Sequence, residues 1–426
     1  MSEQDEFESE SKGVSRRQLL KSSALGLAAG ATAMTFPSIN AWGKSESPIT
    51  IGMVDPRTGT YAAMGQSEIL GAQMAVAELN KKNGILGRPV QLKIEDSAAN
   101  VGQSVQKARK LIKRDNAHFL MGAVSSSVAQ SVSQTAADLG VPYMVTGGHA
   151  DSVTAEKCSW NTFRTCSTTW LLTAGDFEVL LNKYGKRWYF LTPDYSFGHS
   201  LVNDYTKQLK KAGGKVVGNA LAPLGTTDFS SYLIKARSAN PDVLIVLVNG
   251  DDLVNALKQI TQFGLNKQMA VGGALLNMES IEALPQAARY GWWVMEWYWK
   301  QPGVPHVQEF VDRYRSQHDN KVPTARTWFG YASAHALALA SEKAKTVDAV
   351  KVCKALEGLE LPPEVALQPH KAFYRAADHQ LIGSEFPGQI KTDGDYPDLF
   401  EVAKVVDAST VARSAEEKGC RITYPS

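Results

Sequence analysis

Short apolar runs and segments of helical periodicity alternate along the chain from about residue 48 onward. Runs rich in Val, Ile and Leu predict buried strands over residues 49–54, 90–94, 119–123 and 143–146. Apolar residues three or four positions apart predict helices between these strands, over residues 69–79, 101–112 and 126–139. Such an alternation is typical of a parallel sheet with helices on both faces.

The same rhythm starts again near residue 188. Strands are predicted over residues 188–192, 216–221, 243–248 and 269–272, and helices near 198–212, 227–239 and 251–263. The region 304–358 is helical by the same criterion, and short strands are predicted after about residue 370. We therefore expect an α/β fold with two doubly wound parallel-sheet units in series.

Ligands of open α/β sheets bind beyond the carboxyl ends of the strands. The loops expected at those ends cover residues 55–65, 123–128, 146–151, 193–198, 248–252 and 272–276. Several of these loops are rich in Ser, Gly or Asn, which offer hydroxyl, backbone and amide groups to a small polar molecule. The binding site is therefore expected among these loops.

Length and charge narrow the range of functions. The chain has 426 residues, enough for two domains with cores of their own, and 21% of them are charged. The formal net charge is +2, and the sequence contains no block of five or more Lys and Arg residues. Nucleic-acid binding is disfavoured, because it requires a concentrated basic surface.

Residues 1–41 have the parts of a signal peptide. Arg16 and Arg17 precede Leu-Leu-Lys, a weakly apolar stretch rich in Ala and Gly follows, and small residues lie near Ala41. The arginine pair resembles a twin-arginine motif, and an ordinary Sec signal is the alternative. No other run approaches 18 apolar residues, so we expect a protein that is exported to the periplasm, cleaved, and free of membrane spans.

Four cysteines follow the predicted signal peptide: Cys158, Cys166, Cys353 and Cys420. An even number in an oxidising compartment permits disulfides. Cys158 and Cys166 are close enough in sequence to bridge a short loop, while the state of the other two stays open. A metal site is disfavoured, because no CxxC motif and no paired histidines accompany them.

Several segments in order resemble the periplasmic binding proteins of branched-chain amino acid ABC importers. They are Ile51-Gly52-Met53-Val54, Thr58-Gly59-Thr60-Tyr61, Asn83 to Pro89, Gly122 to Gln130, Phe163-Arg164-Thr165, Asp194 to Gly198, Asn240-Pro241-Asp242 and Phe263-Gly264-Leu265. The resemblance covers about Pro48 to Gly383 and implies the type I periplasmic-binding fold, in which three crossovers join two lobes. It assigns residues 48–168 and about 298–375 to the first lobe, and 169–297 and about 376–426 to the second. It also implies a monomer that needs no cofactor and passes a small molecule to a membrane permease and ATPase.

The resemblance assigns two ligand loops in the first lobe. Ser125, followed by Ser126, matches the position where a hydroxyl and free N–H groups at a helix N-terminus receive a carboxylate. The alternative role of Ser125 is to cap that helix. The second loop matches at Gly147, Gly148 and His149, with His149 where Thr is usual, and a solvated surface histidine is the alternative.

The second lobe departs from the amino-acid-binding members. Phe197 matches the aromatic residue that closes over the ligand. Gly273 stands where those members have the acid that pairs with the ligand ammonium. Asn249 matches the ligand-contacting position that precedes this acid in the second lobe. An unpaired buried ammonium is unfavourable, so an α-amino acid is disfavoured unless Asp251 or Asp252 turns inward instead of capping the helix at 251–263. A small organic acid, aromatic or otherwise, fits better, with Tyr61 as further stacking surface or as a core residue.

Two other classes of function are alternatives to a binding protein. A secreted hydrolase is disfavoured, because Gly198-His199-Ser200-Leu201-Val202 lacks the final Gly of a nucleophile elbow and no HExxH motif occurs. A periplasmic sensor subunit would share the fold and the ligand loops, and only its partner would distinguish it. The aromatic stretch from Trp292 to Trp299 is interpreted as a crossover strand with some residues lining the cleft. We therefore expect the chain to bind rather than to catalyse.

Overall fold

The structure is a computed structural model that describes residues 47–425. The predicted signal peptide, with Arg16 and Arg17, lies outside the described residues. Within the described range, no helix combines the length and the apolar character that a membrane crossing requires.

The first lobe begins with five strands and three helices in alternation. They are β1 (Ile49–Asp55), α1 (Ala62–Lys81), β2 (Val90–Asp96), α2 (Val101–Lys113), β3 (Phe119–Gly122), α3 (Ser126–Asp138), β4 (Tyr143–Val145) and β5 (Thr162–Arg164). The strands form a parallel sheet of order β2-β1-β3-β4-β5. Every residue of β1 is buried, as expected of a strand covered on both faces. The predicted strands are confirmed, and β5 is too short to be recognised from periodicity.

The second lobe repeats this pattern. Its elements are α4 (Thr169–Tyr184), β6 (Arg187–Pro193), α5 (Ser196–Lys211), β7 (Lys215–Ala222), α6 (Ser230–Ala239), β8 (Val243–Val246), α7 (Asp251–Gln262), β9 (Ala270–Gly272), α8 (Met278–Glu282) and β10 (Trp292–Met295). Separate apolar clusters cover the two faces of its sheet, so the sheet lies between layers of helices.

The chain then returns to the first lobe and crosses once more. The elements of this last part are α9 (Val307–Gln317), α10 (Ala325–Ala344), α11 (Ala349–Leu356), α12 (Pro363–Ala366), β11 (Phe373–Tyr374), β12 (Leu381–Ile382), β13 (Ser384–Ile390), β14 (Phe400–Val402) and β15 (Val406–Asp407). The second sheet has the order β14-β13-β10-β9-β8-β6-β7, with β15 paired to β13. Strands β13 and β14 run antiparallel to their neighbours, so this sheet is mixed rather than wholly parallel as predicted.

Helix α10 packs along α1 in the first lobe. A Cβ at Gly71 would overlap the Thr327 carbonyl, and a Cβ at Gly330 would overlap the Glu68 carbonyl. One glycine on each helix therefore permits a close approach of the two backbones. This packing holds Glu68 of α1 beside the first turn of α10.

Three connections join the lobes: residues 165–168 between β5 and α4, 296–306 between β10 and α9, and residue 383 between β12 and β13. The three-crossover α/β fold class is confirmed. The lobe boundaries assigned by resemblance stay a prediction. Gln380, which lies beyond the predicted boundary near residue 375, accepts a 2.6 Å hydrogen bond from the Arg164 side chain at the end of β5.

The predicted Cys158–Cys166 bridge is wrong. Cys158 pairs with Cys420, 262 residues away in sequence, while Cys166 and Cys353 are free and buried. Cys166 follows β5 and points into the apolar core of the first lobe, so its sulfur is not presented to the loop that carries Cys158. The C-terminal segment reaches Cys158 because it folds back over this lobe, where Lys418 lies 2.5 Å from Asp378.

Candidate functional site

A narrow cavity of about 10 Å³ lies between the lobes, among loops at the carboxyl ends of the strands. Its lining residues are Tyr61, Met64, Val124, His149, Tyr195, Phe197, Asn249, Leu275 and Arg326. The volume is far below the roughly 300–1,000 Å³ of pockets that hold drug-sized ligands. A solute can therefore enter only when the lobes move apart.

The charged residue at the cavity wall is Arg326, in the first turn of α10, with 1% of its surface exposed. Its Nη1 donates to Glu68 Oε1 at 3.0 Å, and its Nε donates to Asn277 Oδ1 at 2.8 Å. A Cβ at Gly147 would overlap Nη1, so only glycine permits the guanidinium to lie where it does. Burial lowers the pKa of Arg326, but Glu68 and Glu296 outweigh burial and keep this pKa above its ordinary value. The wall thus carries a fixed positive charge.

Two acids lie behind this arginine. Glu68 also accepts a hydrogen bond from the Thr146 hydroxyl. Asp55, at the end of β1, is fully buried, and burial together with the charge of Glu68 raises its pKa well above the usual value. The charged form of Asp55 is therefore disfavoured, and the ion pair beneath the cavity is that of Glu68 with Arg326.

His149 is the second basic group of the lining. Its Nε2 lies 2.7 Å from Glu296 Oε2, and its ring centroid lies 5.8 Å from that of Phe197. Buried Arg164 fixes the loop, because its Nη1 donates to the carbonyl oxygens on either side of His149, at Gly148 (3.0 Å) and at residue 150 (2.7 Å). His149 is thus a buried, oriented side chain rather than a solvated one.

Aromatic residues from both lobes close over the cavity. The hydroxyl groups of Tyr61 and Tyr195 are 2.7 Å apart, and the Tyr195 ring centroid lies 6.1 Å from that of Phe197. Burial raises the pKa of both tyrosines above the ordinary value, so the hydroxyls are neutral. A second interlobe hydrogen bond joins Ser127 Oγ and Ser196 Oγ at 3.1 Å. The structure shows the clamp closed.

Ser125 and Ser126 lie at the start of α3, beside Val124 of the lining. Ser125 occupies the N-cap position in an extended conformation, but its side chain makes no capping hydrogen bond. The Ser126 hydroxyl accepts from the N–H of Ala150 at 3.0 Å and so ties α3 to the His149 loop. Ligand contact by Ser125 stays a prediction, and a hydroxyl without a capping bond is compatible with it.

Gly273 is not among the residues that line the cavity, and its contact with the ligand stays a prediction. A Cβ at Gly273 would overlap the Val246 carbonyl and the Trp293 ring, so the position is filled by sheet packing. Leu275 lines the cavity instead. An acidic side chain at this position would not fit, because even a Cβ would overlap its neighbours.

The other second-lobe positions are also neutral or turned away. Asn249 lines the cavity, and its Oδ1 accepts from Asn277 Nδ2 (2.9 Å) and from the N–H of Gly250 (2.8 Å). Asp251 faces a neighbouring gap between the lobes, and Asp252 accepts from the N–H of Gly225 at 3.0 Å. Among the described residues, no acid lines the cavity directly.

Arg326 and Tyr195 are the residues that sequence reasoning missed. Arg326 interrupts the otherwise apolar first turns of α10, and a lone arginine there is a signal of a buried charge. Tyr195 lies two residues before Phe197, in a loop already expected at the site. None of the tryptophans between Trp292 and Trp299 lines the cavity; that stretch contributes Glu296, behind His149.

Comparisons with known proteins agree with this architecture. The family model described as periplasmic binding protein matches residues 48–395. The Leu/Ile/Val-binding protein homolog 7 of Brucella suis is 26% identical over 331 residues, covering 74% of this chain and 82% of the relative. A periplasmic binding protein from Burkholderia mallei superposes with a TM-score of 0.82 at 27% identity, covering 88% and 98% of the two chains. A solute-binding protein of an ABC transporter from R. palustris, in complex with benzoate, superposes with a TM-score of 0.77 at 20% identity, covering 88% and 100%.

Proposed function

The chain belongs to the periplasmic binding protein family, and from that premise we propose that it captures a small carboxylate lacking an α-amino group and delivers it to an ABC importer. The family is one of solute-binding, non-enzymatic proteins, and its ABC-transporter members bind small ligands and interact with permeases. The ligand class and the import role are the new elements of the proposal.

The observation that carries the proposal is the sign of the charge at the cavity wall. Arg326, which carries a fixed positive charge, and His149 line the cavity, while Glu68 and Glu296 lie behind them and pair with them. A carboxylate entering the cavity therefore meets hydrogen-bond donors first. Charge-assisted hydrogen bonds of this kind contribute about 1.5–3 kcal/mol each.

An α-ammonium group would fare worse in the same cavity. The second-lobe wall offers the Asn249 amide, whose oxygen already accepts two hydrogen bonds, and the apolar side chain of Leu275. Transfer of a cation out of water without a paired acid is unfavourable by several kcal/mol. The aromatic rings of Tyr61, Tyr195 and Phe197 supply an apolar surface that suits an aromatic or other hydrophobic acid.

The names of similar proteins point to two ligand classes. The Brucella relative is named for Leu, Ile and Val, and the R. palustris protein holds benzoate. The likeness to the R. palustris protein, at 20% identity, concerns the fold alone, so the choice between the classes rests on the lining of this chain.

Export and oligomeric state complete the proposal. Residues 1–41 direct the chain to the periplasm through the arginine pair Arg16-Arg17, with cleavage near Ala41. A periplasmic location accords with the family. The mature chain acts as a monomer, because two lobes of one chain suffice to enclose the cavity.

Isothermal titration calorimetry of the mature chain tests the ligand class. Benzoate and 4-hydroxybenzoate serve as amine-free probes, and leucine and valine as α-amino acid probes. We expect one binding site per chain, filled by at least one of the two aromatic acids about a hundredfold more tightly than by either amino acid, which corresponds to about 2.7 kcal/mol. Sub-micromolar binding of leucine with no measurable binding of either aromatic acid would overturn the proposal.

A further inference from the structure

All three crossovers meet at one buried polar cluster, which we call the hinge cluster: Ser167, Glu296 and Glu385. Ser167 lies in the connection after β5, Glu296 follows β10, and Glu385 is the second residue of β13. The backbone N–H of Ser167 donates to Glu296 Oε1 at 2.6 Å, and its hydroxyl donates to Glu385 Oε1. Two crossovers thus contribute one member each, the third member lies two residues after the third crossover, and Ser167 is bonded to the other two.

The hinge cluster is joined to the ligand cavity by a single side chain. Glu296 uses Oε1 for Ser167 and Oε2 for His149, which lines the cavity. Any change in charge or position at the hinge cluster therefore reaches a residue that faces the solute.

The geometry of the cluster disfavours two ionised carboxyls. Glu296 is 2% exposed and Glu385 is 1% exposed, and both accept hydrogen bonds from the same serine. Glu385 Oε2 is buried and makes no hydrogen bond within the described residues. Ionising both carboxyls away from water is unfavourable, because burial penalises each charged form and like charges repel. A small cavity of about 10 Å³, room for about one water molecule, borders both groups.

The neighbours decide which carboxyl keeps the charge. Burial raises the pKa of Glu296, but His149, Arg326 and the Ser167 N–H outweigh burial and hold this pKa below its ordinary value. Burial and the charge of Glu296 raise the pKa of Glu385 well above its ordinary value, against the smaller effect of Ser167. The closed clamp therefore favours the charge on Glu296 and the proton on Glu385.

Among the described residues, Glu385 has no cationic partner that would stabilise its charged form. On the adjacent strand β15, Val406 pairs with Glu385, and α4 presents Gly175 to its side chain. None of the titratable groups near the cluster forms a hydrogen bond to Glu385 within the described residues. His149, Arg326 and Cys166 interact with Glu296, whereas His370 and Asp407 contact the neighbouring Ser384.

We propose that Glu385 is a proton-dependent positioning residue for closure: the clamp closes with Glu385 protonated, and ionisation of Glu385 favours the open form through Glu296 and His149. Opening rotates the crossovers against one another, so Ser167, Glu296 and Glu385 separate or become hydrated and Glu385 can carry its charge. The inference does not depend on which solute is captured.

The sign of the pH dependence follows by linkage. Glu385 binds its proton more tightly in the closed form than in the hydrated open form. The ratio of closed to open molecules is therefore highest at low pH. It falls as the pH rises from the open-form pKa of Glu385 to its closed-form pKa. For one linked proton, the fall is at most about tenfold per pH unit.

Single-molecule FRET on the solute-free mature chain measures this ratio directly. Dyes at Gln106→Cys on α2 and Ile234→Cys on α6, both at exposed positions, report the separation of the lobes. Between pH 5 and pH 8.5, we expect the closed fraction to fall in the parent protein and to stay constant, at the low-pH value, in Glu385→Gln. The exposed Glu309→Gln on α9, whose side chain is 68% exposed, serves as the matched control and should titrate like the parent.

A second variant guards against loss of folding in Glu385→Gln. Glu296→Gln removes the negative charge that raises the pKa of Glu385, so the midpoint of the transition should move to lower pH. A closed fraction that is independent of pH in the parent overturns the proposal. So does a folded Glu385→Gln protein that titrates like the parent, or an unmoved midpoint in Glu296→Gln.

Discussion

Replacing Arg326 by glutamine removes the fixed positive charge from the cavity wall while keeping an amide of related shape. In the parent, the guanidinium is 1% exposed and bonds to Glu68 at 3.0 Å and to Asn277 at 2.8 Å. A bound carboxylate would lose one charge-assisted hydrogen bond, which corresponds to about 1.5–3 kcal/mol, or roughly ten- to hundredfold weaker binding. Leucine and valine, which we expect to bind poorly already, should show little further loss.

The same change should lower stability. Glu68 keeps its bond from Thr146 but loses its cationic partner, and breaking a buried ion pair on one side lowers the free energy of unfolding by about 3–5 kcal/mol. Arg313→Gln is the matched control, because Arg313 also pairs with a glutamate, Glu78 at 3.2 Å, but its side chain is 42% exposed. A surface pair of this kind contributes about 0–1 kcal/mol.

Calorimetry with benzoate and 4-hydroxybenzoate, together with urea denaturation, measures both effects. The reasoning predicts a loss of affinity in Arg326→Gln and none in Arg313→Gln. An Arg326→Gln protein that folds and binds an amine-free acid as tightly as the parent would refute the role of Arg326 as the carboxylate partner.

Three further predictions concern other parts of the chain. Ser125→Ala should weaken binding of an amine-free acid about tenfold or more by calorimetry, because one donor to the carboxylate is lost; unchanged affinity would leave Ser125 as a structural residue. Cys420→Ser should lower the free energy of unfolding, measured by urea denaturation, by about 2–5 kcal/mol, because the bridge to Cys158 closes a long loop. Equal stability of the parent protein with and without reductant would contradict a structural disulfide. Arg16→Lys combined with Arg17→Lys should leave precursor in the cytoplasm, as judged by cell fractionation, and normal periplasmic levels would favour the Sec route.

Local patterns predicted most of the fold but not its long-range pairings. The strand and helix rhythm identifies β1 to β4 and β6 to β9, because each is a short apolar run between helices. The antiparallel pairing of β13 with β10 joins residues 91 to 97 positions apart, and the Cys158–Cys420 bridge joins residues 262 positions apart. Nothing in a window of neighbouring residues records such a pairing.

The site was predictable to the extent that it lies on strand-end loops. Tyr61, His149, Phe197 and Asn249 were expected there, and all four line the cavity. Arg326 was not expected, because it belongs to a helix that reaches the cavity only through the packing of α10 on α1. Gly273 does not line the cavity, because the Trp293 ring packs against it.

Competition among solutes for the cavity that Arg326 lines tests most directly whether this chain binds an amine-free carboxylate and leaves it unchanged. The mature protein is incubated with an equimolar mixture of benzoate, 4-hydroxybenzoate, leucine and valine, separated from free solute by gel filtration, and denatured. Mass spectrometry then identifies and counts the released molecules. We predict about one intact aromatic acid per chain and no amino acid; recovery of leucine or valine, or of a chemically altered acid, would contradict the proposed function.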